Sequence, residues 1–205
     1  MPRRVSTTLT VTCAFLPAMV MAGPLPGLIA AGPAGGGYPG MDLFAPLLGH
    51  WDYSYRFYTA SGLPGHWDYR YRFYTEPGKV REEGTGTWDF SWILGGRAIQ
   101  DVQTFRTADG KLQESGTTLR IPRSDGSWWA IWDGPLRGNV CELTARRGAE
   151  GIVMDGTCNG DPAPERWMFR QITASGFEWS GYVSPDRGKS WVLEETISAQ
   201  RGGKI

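Results

Sequence analysis

The feature that most constrains this chain is a segment that occurs twice. Gly49-His50-Trp51-Asp52-Tyr53-Ser54-Tyr55-Arg56-Phe57-Tyr58-Thr59 returns as Gly65-His66-Trp67-Asp68-Tyr69-Arg70-Tyr71-Arg72-Phe73-Tyr74-Thr75, with only Ser54 changed, to Arg70. Both copies alternate large aromatic and polar residues. In an extended chain, alternate side chains fall on opposite faces, so Trp67, Tyr69, Tyr71 and Phe73 share one face while Asp68, Arg70 and Arg72 share the other. A helix would scatter these residues around its axis. Two copies do not make a repeat protein, which needs several units to bury a core, so the pattern reads as one strand duplicated in tandem.

The remaining chain carries the same message at shorter range. Strands are expected at Val80 to Trp88, Gly96 to Thr107, Gln113 to Arg123, Trp128 to Asp133, Val140 to Arg146, Ile152 to Cys158, Arg166 to Ile172, Phe177 to Ser184 and Trp191 to Gln200. Turn chemistry separates them, at Glu76-Pro77-Gly78-Lys79, Asp109-Gly110, Ser124-Asp125-Gly126-Ser127, Gly148-Ala149-Glu150-Gly151 and Thr173-Ala174-Ser175-Gly176. About nine or ten short strands in hairpin succession, without a long amphipathic helix, predict an all-β antiparallel meander closed into a β-barrel. Ahead of the strands, Asp42-Leu43-Phe44-Ala45-Pro46-Leu47-Leu48-Gly49 predicts a short N-terminal capping helix, with Asp42 as its cap and Gly49 as its stop. Inserting a strand into a meander reverses everything upstream, so one copy of the duplication fits the slot. The tight turn after the second copy points to Trp67–Thr75 as the barrel strand, the first copy being an edge strand or flap.

The N-terminus reads as an export leader, residues 1–22. Pro2-Arg3-Arg4 is basic, Val5 to Met21 is mostly apolar or small, and Val20-Met21-Ala22 suits a cleavage site. Residues 23–40, rich in Gly, Pro and Ala, read as a linker; the barrel is expected over 41–201 and a tail over 202–205. A secreted or periplasmic location follows, or a cytoplasmic one if Met41 is the true start. Lys+Arg and Asp+Glu both number 21, so formal net charge is zero. That disfavours a nucleic-acid partner and gives no electrostatic reason for membrane binding after leader removal.

Cysteine placement adds a register test. A turn symmetric about Ala149-Glu150 sets Cys141 opposite Cys158, Leu143 opposite Gly156 and Ala145 opposite Met154, all on one apolar face. A disulfide between Cys141 and Cys158 is therefore expected in an oxidising compartment.

The short helix running into Gly49-His50-Trp51 (and again Gly65-His66-Trp67), the hairpin meander and the late Arg201 together resemble the calycin group, the lipocalin-like barrels. Trp92-Ile93-Leu94-Gly95-Gly96-Arg97-Ala98-Ile99-Gln100-Asp101 is similar to a segment of small bacterial lipocalin-like proteins. The resemblance implies a tryptophan closing the barrel base, here Trp51 or Trp67, with Arg201 stacked over it as a cation–π pair. A second resemblance is local. Ser184-Pro185-Asp186-Arg187-Gly188-Lys189-Ser190-Trp191 resembles the Asp-box of sialidases. A single copy without blade-length repeats implies a stabilised turn, with Asp186 holding turn amides and Trp191 packed beneath, and no glycosidase.

Chemistry is sparse. His50 and His66 are the only histidines to serve as the base of a Ser or Cys nucleophile or as an axial ligand, and neither a zinc-ligand spacing nor a phosphate loop occurs, so no metal and no cofactor is expected. Glu82/Glu83 and Glu194/Glu195 are adjacent pairs, which a regular strand sends to opposite faces. Arg97, Ile99, Asp101, Gln103 and Phe105 share one face of their strand; whether that face is inside is open. If it is, Arg97 and Asp101 are interior partners, and Trp67, Tyr69, Tyr71, Arg120, Trp132, Trp179 and Glu195 complete a candidate lining. The leading expectation is non-enzymatic binding of a small apolar or aromatic, lipophilic molecule. The runner-up is an isomerase, cyclase or hydratase using Asp101 or Glu195. A third is an interaction module whose barrel is filled by its own side chains. An open cavity above about 300 Å³ favours binding or catalysis, and a filled interior favours the third.

Overall fold

The computed structural model describes residues 29–35, 39–58 and 79–201. The leader region, the tail and the second strand copy, with Trp67, Tyr69 and Tyr71, lie outside these residues. Ten strands form one closed antiparallel barrel: β1 (Gly49–Tyr58), β2 (Val80–Ile93), β3 (Ala98–Thr107), β4 (Leu112–Pro122), β5 (Trp128–Gly134), β6 (Asn139–Gly148), β7 (Gly151–Cys158), β8 (Glu165–Arg170), β9 (Gly176–Val183) and β10 (Val192–Arg201). Each pairs with its sequence neighbour, and β1 pairs with β10 to close the ring. Closure leaves no edge strand exposed among them.

The first copy of the duplication, not the second, fills the first slot. It pairs with β2 on one side and β10 on the other, with Trp51 opposite both Trp88 and Arg201. The physical reason lies upstream. The turn before β1 brings the Leu47 carbonyl to the Trp51 indole N–H at 2.7 Å and the Leu48 carbonyl to the Arg201 guanidinium at 2.9 Å. A tight link to β2 counts for less, because closure entropy grows only logarithmically with the length of the connecting chain.

Inward-facing Trp51, Tyr53 and Tyr55 are buried, while Ser54 and Arg56 face outward. Their rings need room, and β2 supplies it with glycines. Gly86 lies opposite Tyr53 and Gly84 opposite Tyr55. A Cβ on Gly86 would sit 2.4 Å from the Tyr53 hydroxyl. Crossing the bare strand, Tyr53 donates to the Thr104 carbonyl at 2.6 Å.

The expected capping helix is a single 3-10 turn, Ala45–Leu47. Its bonds run three residues back, Leu47 to Phe44 at 3.0 Å and Leu48 to Ala45 at 3.2 Å. Pro46 has no N–H to give an α-turn. Asp42 does not cap it either; its carboxylate meets Arg147 at 3.0 Å. The turn still plugs its end of the barrel, for Leu43, Phe44 and Leu47 are buried. Residues 23–40 are not free linker throughout. Ala30 donates to the Trp92 carbonyl and Ala34 to the Gly96 carbonyl, both at 2.8 Å, and the Gly40 carbonyl accepts the Trp128 indole N–H at 2.9 Å. This strap and the 3-10 turn make a closed end. Above it, Phe44, Trp51, Trp128, Phe169 and Phe177 pack edge to face, with centroids 4.8–6.3 Å apart in the pairs Trp51–Phe177, Phe44–Trp128 and Phe44–Phe169.

Candidate functional site

The barrel's two halves differ. The closed half is filled by aromatic rings. In the other half lies a cavity of about 90 Å³, lined among others by Phe57, Trp88, Gln103, Phe105, Trp132, Trp167 and Trp179, with Glu114, Arg120, Arg137 and Glu195 as its charged wall. It is well below the roughly 300 Å³ at which drug-sized ligand pockets begin. It is also smaller than the ~150 Å³ engineered cavity that accepts benzene. Most of the interior is therefore occupied by the protein's own side chains, and by size alone the barrel falls on the side of the filled interaction module.

Strand parity decides the lining. On β3, Ile99, Asp101, Gln103 and Phe105 are buried, while Val102 and Arg106 are exposed, so the shared face is the interior. Arg97 does not join it. The strand begins at Ala98, after a turn in which Leu94, Gly95 and Gly96 all have positive φ, and Arg97 is exposed in that turn. Asp101 takes Arg120 as its partner instead. The Arg120 Nη1 bonds the Asp101 Oδ2, and the Thr118 amide donates to Oδ1 at 2.8 Å. The Arg120 guanidinium lies 4.9 Å from the Phe44 ring and 5.2 Å from the Phe90 ring. Two aromatic contacts and a carboxylate together compensate a cation only 1 % exposed.

A second ion pair edges the cavity. Arg137, from the turn between β5 and β6, approaches Glu114 of β4 at 3.9 Å. Glu114 is buried and accepts backbone N–H groups from Ser115, Leu136 and Arg137 at 2.8–3.2 Å.

Glu195 also faces the cavity, and burial pushes its carboxyl up to about 8. The expectation that Glu194 and Glu195 point to opposite sides fails. The β10 register slips between Leu193 and Glu195, so Tyr182 and Gly181 of β9 face those two residues and Glu194 is a bulge. Burial raises Glu194 as well, and raises its neighbour Glu165 on β8.

Six buried side-chain polar atoms among the described residues have no hydrogen-bond partner: Trp88 Nε1, Gln103 Nε2, Arg120 Nε, Arg137 Nε, Trp179 Nε1 and Glu195 Oε1. Every one belongs to a residue lining this cavity. Native interiors leave few such atoms, and scattered ones carry little meaning. Their convergence on one space is the site's distinguishing feature.

Trp132, Trp179, Arg120 and Glu195, named from the sequence, all line the cavity. Trp88, Gln103, Phe105, Glu114, Arg137 and Trp167 were not singled out. Gln103 and Phe105 share the Asp101 face, and Trp88 is two residues from Phe90, so parity was the signal available for them. Trp167 meets Trp132 and Trp179 at 6.4 and 5.5 Å only through pairing across strands. His50 is on the outer face, 2.6 Å from Asp89. Among the described residues no cluster of His, Cys, Asp or Glu could hold a metal ion.

The Arg201 guanidinium lies 4.1 Å from the Trp51 ring centroid and donates to the Pro46, Leu48 and Ala174 carbonyls. Asp186 accepts from the Lys189 and Ser190 amides at 3.0 and 2.8 Å and from the Ser184 and Ser190 hydroxyls. Trp191 stacks under Arg166 at 4.2 Å. Cys141 and Cys158 face each other and form a disulfide, Cα atoms 3.9 Å apart, with Leu143 opposite Gly156 and Ala145 opposite Met154.

Among the described residues, fold and site together define a ten-stranded antiparallel barrel with an aromatic interior and a small cavity edged by unpaired polar groups. Among solved structures, it is similar to Rv2717c from M. tuberculosis, with a TM-score of 0.58 and 16% identity over 82% of this chain and 99% of that one. At that identity the likeness speaks for the fold alone. No protein-family model matches the sequence, and no curated protein matches it.

Proposed function

We propose that this chain is a lipocalin-like binding protein that holds a small ligand inside its barrel without transforming it. The observation that carries this reading is the convergence of six unpartnered buried polar atoms on one aromatic-lined cavity. A barrel filled only for stability gains nothing by leaving indole N–H groups unpaired, since each costs on the order of 1–3 kcal/mol. The pairing of Trp51 with Arg201 at the closed end supports the lipocalin-like assignment. The Cys141–Cys158 bridge supports export to an oxidising compartment. The volume limits the ligand to a few heavy atoms, or to a larger aromatic molecule whose entry displaces an indole.

Native mass spectrometry of protein purified from its source tests the reading, paired with tryptophan fluorescence during titration with small apolar and aromatic molecules. A retained or saturable guest is expected. A protein of bare mass whose emission no guest alters would leave the filled-barrel interaction module as the better account.

One observation favours the enzyme reading in second place. Glu195 keeps its proton up to about pH 8 in an aromatic cavity, as a general acid must. Turnover of a bound guest that is abolished in Glu195→Gln would replace binding by isomerase- or hydratase-type chemistry.

A further inference from the structure

Two of the cavity's cations have carboxylate partners, while Glu195 and five N–H groups on its wall have no hydrogen-bond partner. Arg120 is neutralised by Asp101, and Arg137 by Glu114. Of the six unpartnered polar atoms, five are N–H donors, and only Glu195 Oε1 is a carboxyl oxygen. An anionic guest would bring a charge that no cation there is left to match, and a cationic guest would meet a wall of donors. Either would be desolvated among aromatic rings, the anion with cations already held by carboxylates and the cation with a counter-charge only if the buried Glu195 gives up its proton.

We propose that the cavity selects a small uncharged guest whose polar end is a hydrogen-bond acceptor of the carbonyl type, held by the Trp88 and Trp179 indoles, with the Gln103 amide, which also faces the Tyr53 hydroxyl, beside them. This rests on the reading of the barrel as a binding protein and narrows it. The apolar remainder of the guest lies against Phe57, Phe105 and Trp167.

Glu195 makes the selection pH-dependent. The groups around it are Arg81 of β2, Arg137 of the β5–β6 turn, its neighbour Glu194, and Tyr53 and Tyr55 of β1. Both tyrosine hydroxyls are already donated, to the Thr104 carbonyl and the Gln113 side chain. As a neutral carboxyl, Glu195 is a sixth donor to the guest's acceptor. Once ionised it becomes a negative charge facing that acceptor, and affinity falls as pH rises past about 8.

The test uses near-isosteric probes: acetone, acetate and isopropylammonium, with xenon as a purely apolar control. Each is titrated into 15N-labelled protein at pH 6.5, following the indole N–H signals of Trp88 and Trp179 assigned through Trp→Phe variants. Acetone should shift both signals and bind at least about tenfold more tightly than either ion. Its affinity should fall above pH 8 in the native chain and stay level in Glu195→Gln. Acetate or isopropylammonium binding as well as acetone overturns the uncharged guest, and xenon binding as well as acetone overturns the acceptor requirement; in both cases the binding protein stands. An unchanged pH profile in Glu195→Gln overturns the part assigned to that residue. If no probe, xenon included, shifts a cavity signal, the binding reading falls and the inference falls with it.

Discussion

Arg120 and Asp101 meet inside the barrel on adjacent strands, the carboxylate holding the guanidinium with one oxygen and the Thr118 amide with the other. Neither side chain is more than 1 % exposed. A buried pair of this kind contributes little net stability, yet removing one member strands the other. Asp101→Asn should therefore cost about 3–5 kcal/mol in urea unfolding, and Asp101→Leu combined with Arg120→Met should recover most of that loss. A single-variant cost below about 1 kcal/mol would show that solvent reaches the pair.

The closed end depends on Arg201. Its fork meets three carbonyls while its face covers Trp51, and lysine can reproduce neither geometry in full. Arg201→Ala should cost about 1–2 kcal/mol, with Arg201→Lys between it and the native chain. The Trp51 contribution to near-ultraviolet circular dichroism should weaken in step. An unchanged signal in Arg201→Ala would mean the indole is fixed without the arginine.

The disulfide closes a short loop, the two cysteines being 17 residues apart. Its removal should destabilise the barrel by no more than about 3 kcal/mol, and the reduced protein should remain folded. Under denaturing, non-reducing conditions the only thiol expected to titrate is that of Cys13, where the chain retains it. Reactive thiols at Cys141 and Cys158 would remove the bridge and with it the main support for export.

Stability should fall as pH rises from mildly acidic to mildly basic. Burial raises Glu165, Glu194 and Glu195 above the ordinary 4.5, and hydrogen bonding to Asp89 raises His50. Above pH 4.5 the unfolded chain releases the glutamate protons that the folded chain keeps, so stability declines until the folded groups ionise too, near 8 for Glu195. In the opposite direction, Asp186 is held down to about 2 by the Ser190 side chain and backbone, so its contribution is complete above 3.8 and lost as pH falls toward 2. The melting temperature should peak at mildly acidic pH and decline toward pH 8, less steeply in Glu195→Gln. A melting temperature that is flat or rising across that range would place these carboxyls in water.

Strand positions and hairpin registers were legible because period-two alternation and turn residues are local signals. The facing of Cys141 and Cys158 needed nothing beyond the symmetry of one turn. Ile99 and Phe105 on the face of Asp101 made an interior carboxylate a live alternative, although its partner, Arg120, is set by pairing across to β4. Arg97 has the right parity and the wrong place, since three positive-φ residues end β2 before the next strand starts. The Glu194 bulge is invisible to alternation because it breaks alternation. Cavity volume depends on the summed bulk of rings from many strands, which no single segment encodes.

The β1 slot recognises its occupant through inward side chains at alternate positions, and Trp51, Tyr53, Tyr55 and Phe57 have identical counterparts at 67, 69, 71 and 73. The slot is therefore blind to which copy it receives, and the two differ only at an outward position. Exchanging them after closure would mean breaking the ladders to β2 and β10 together, which amounts to opening the whole ring. What separates the copies is therefore their setting and not their inward faces, since only the first follows directly on the Leu47 turn whose carbonyl holds the Trp51 indole.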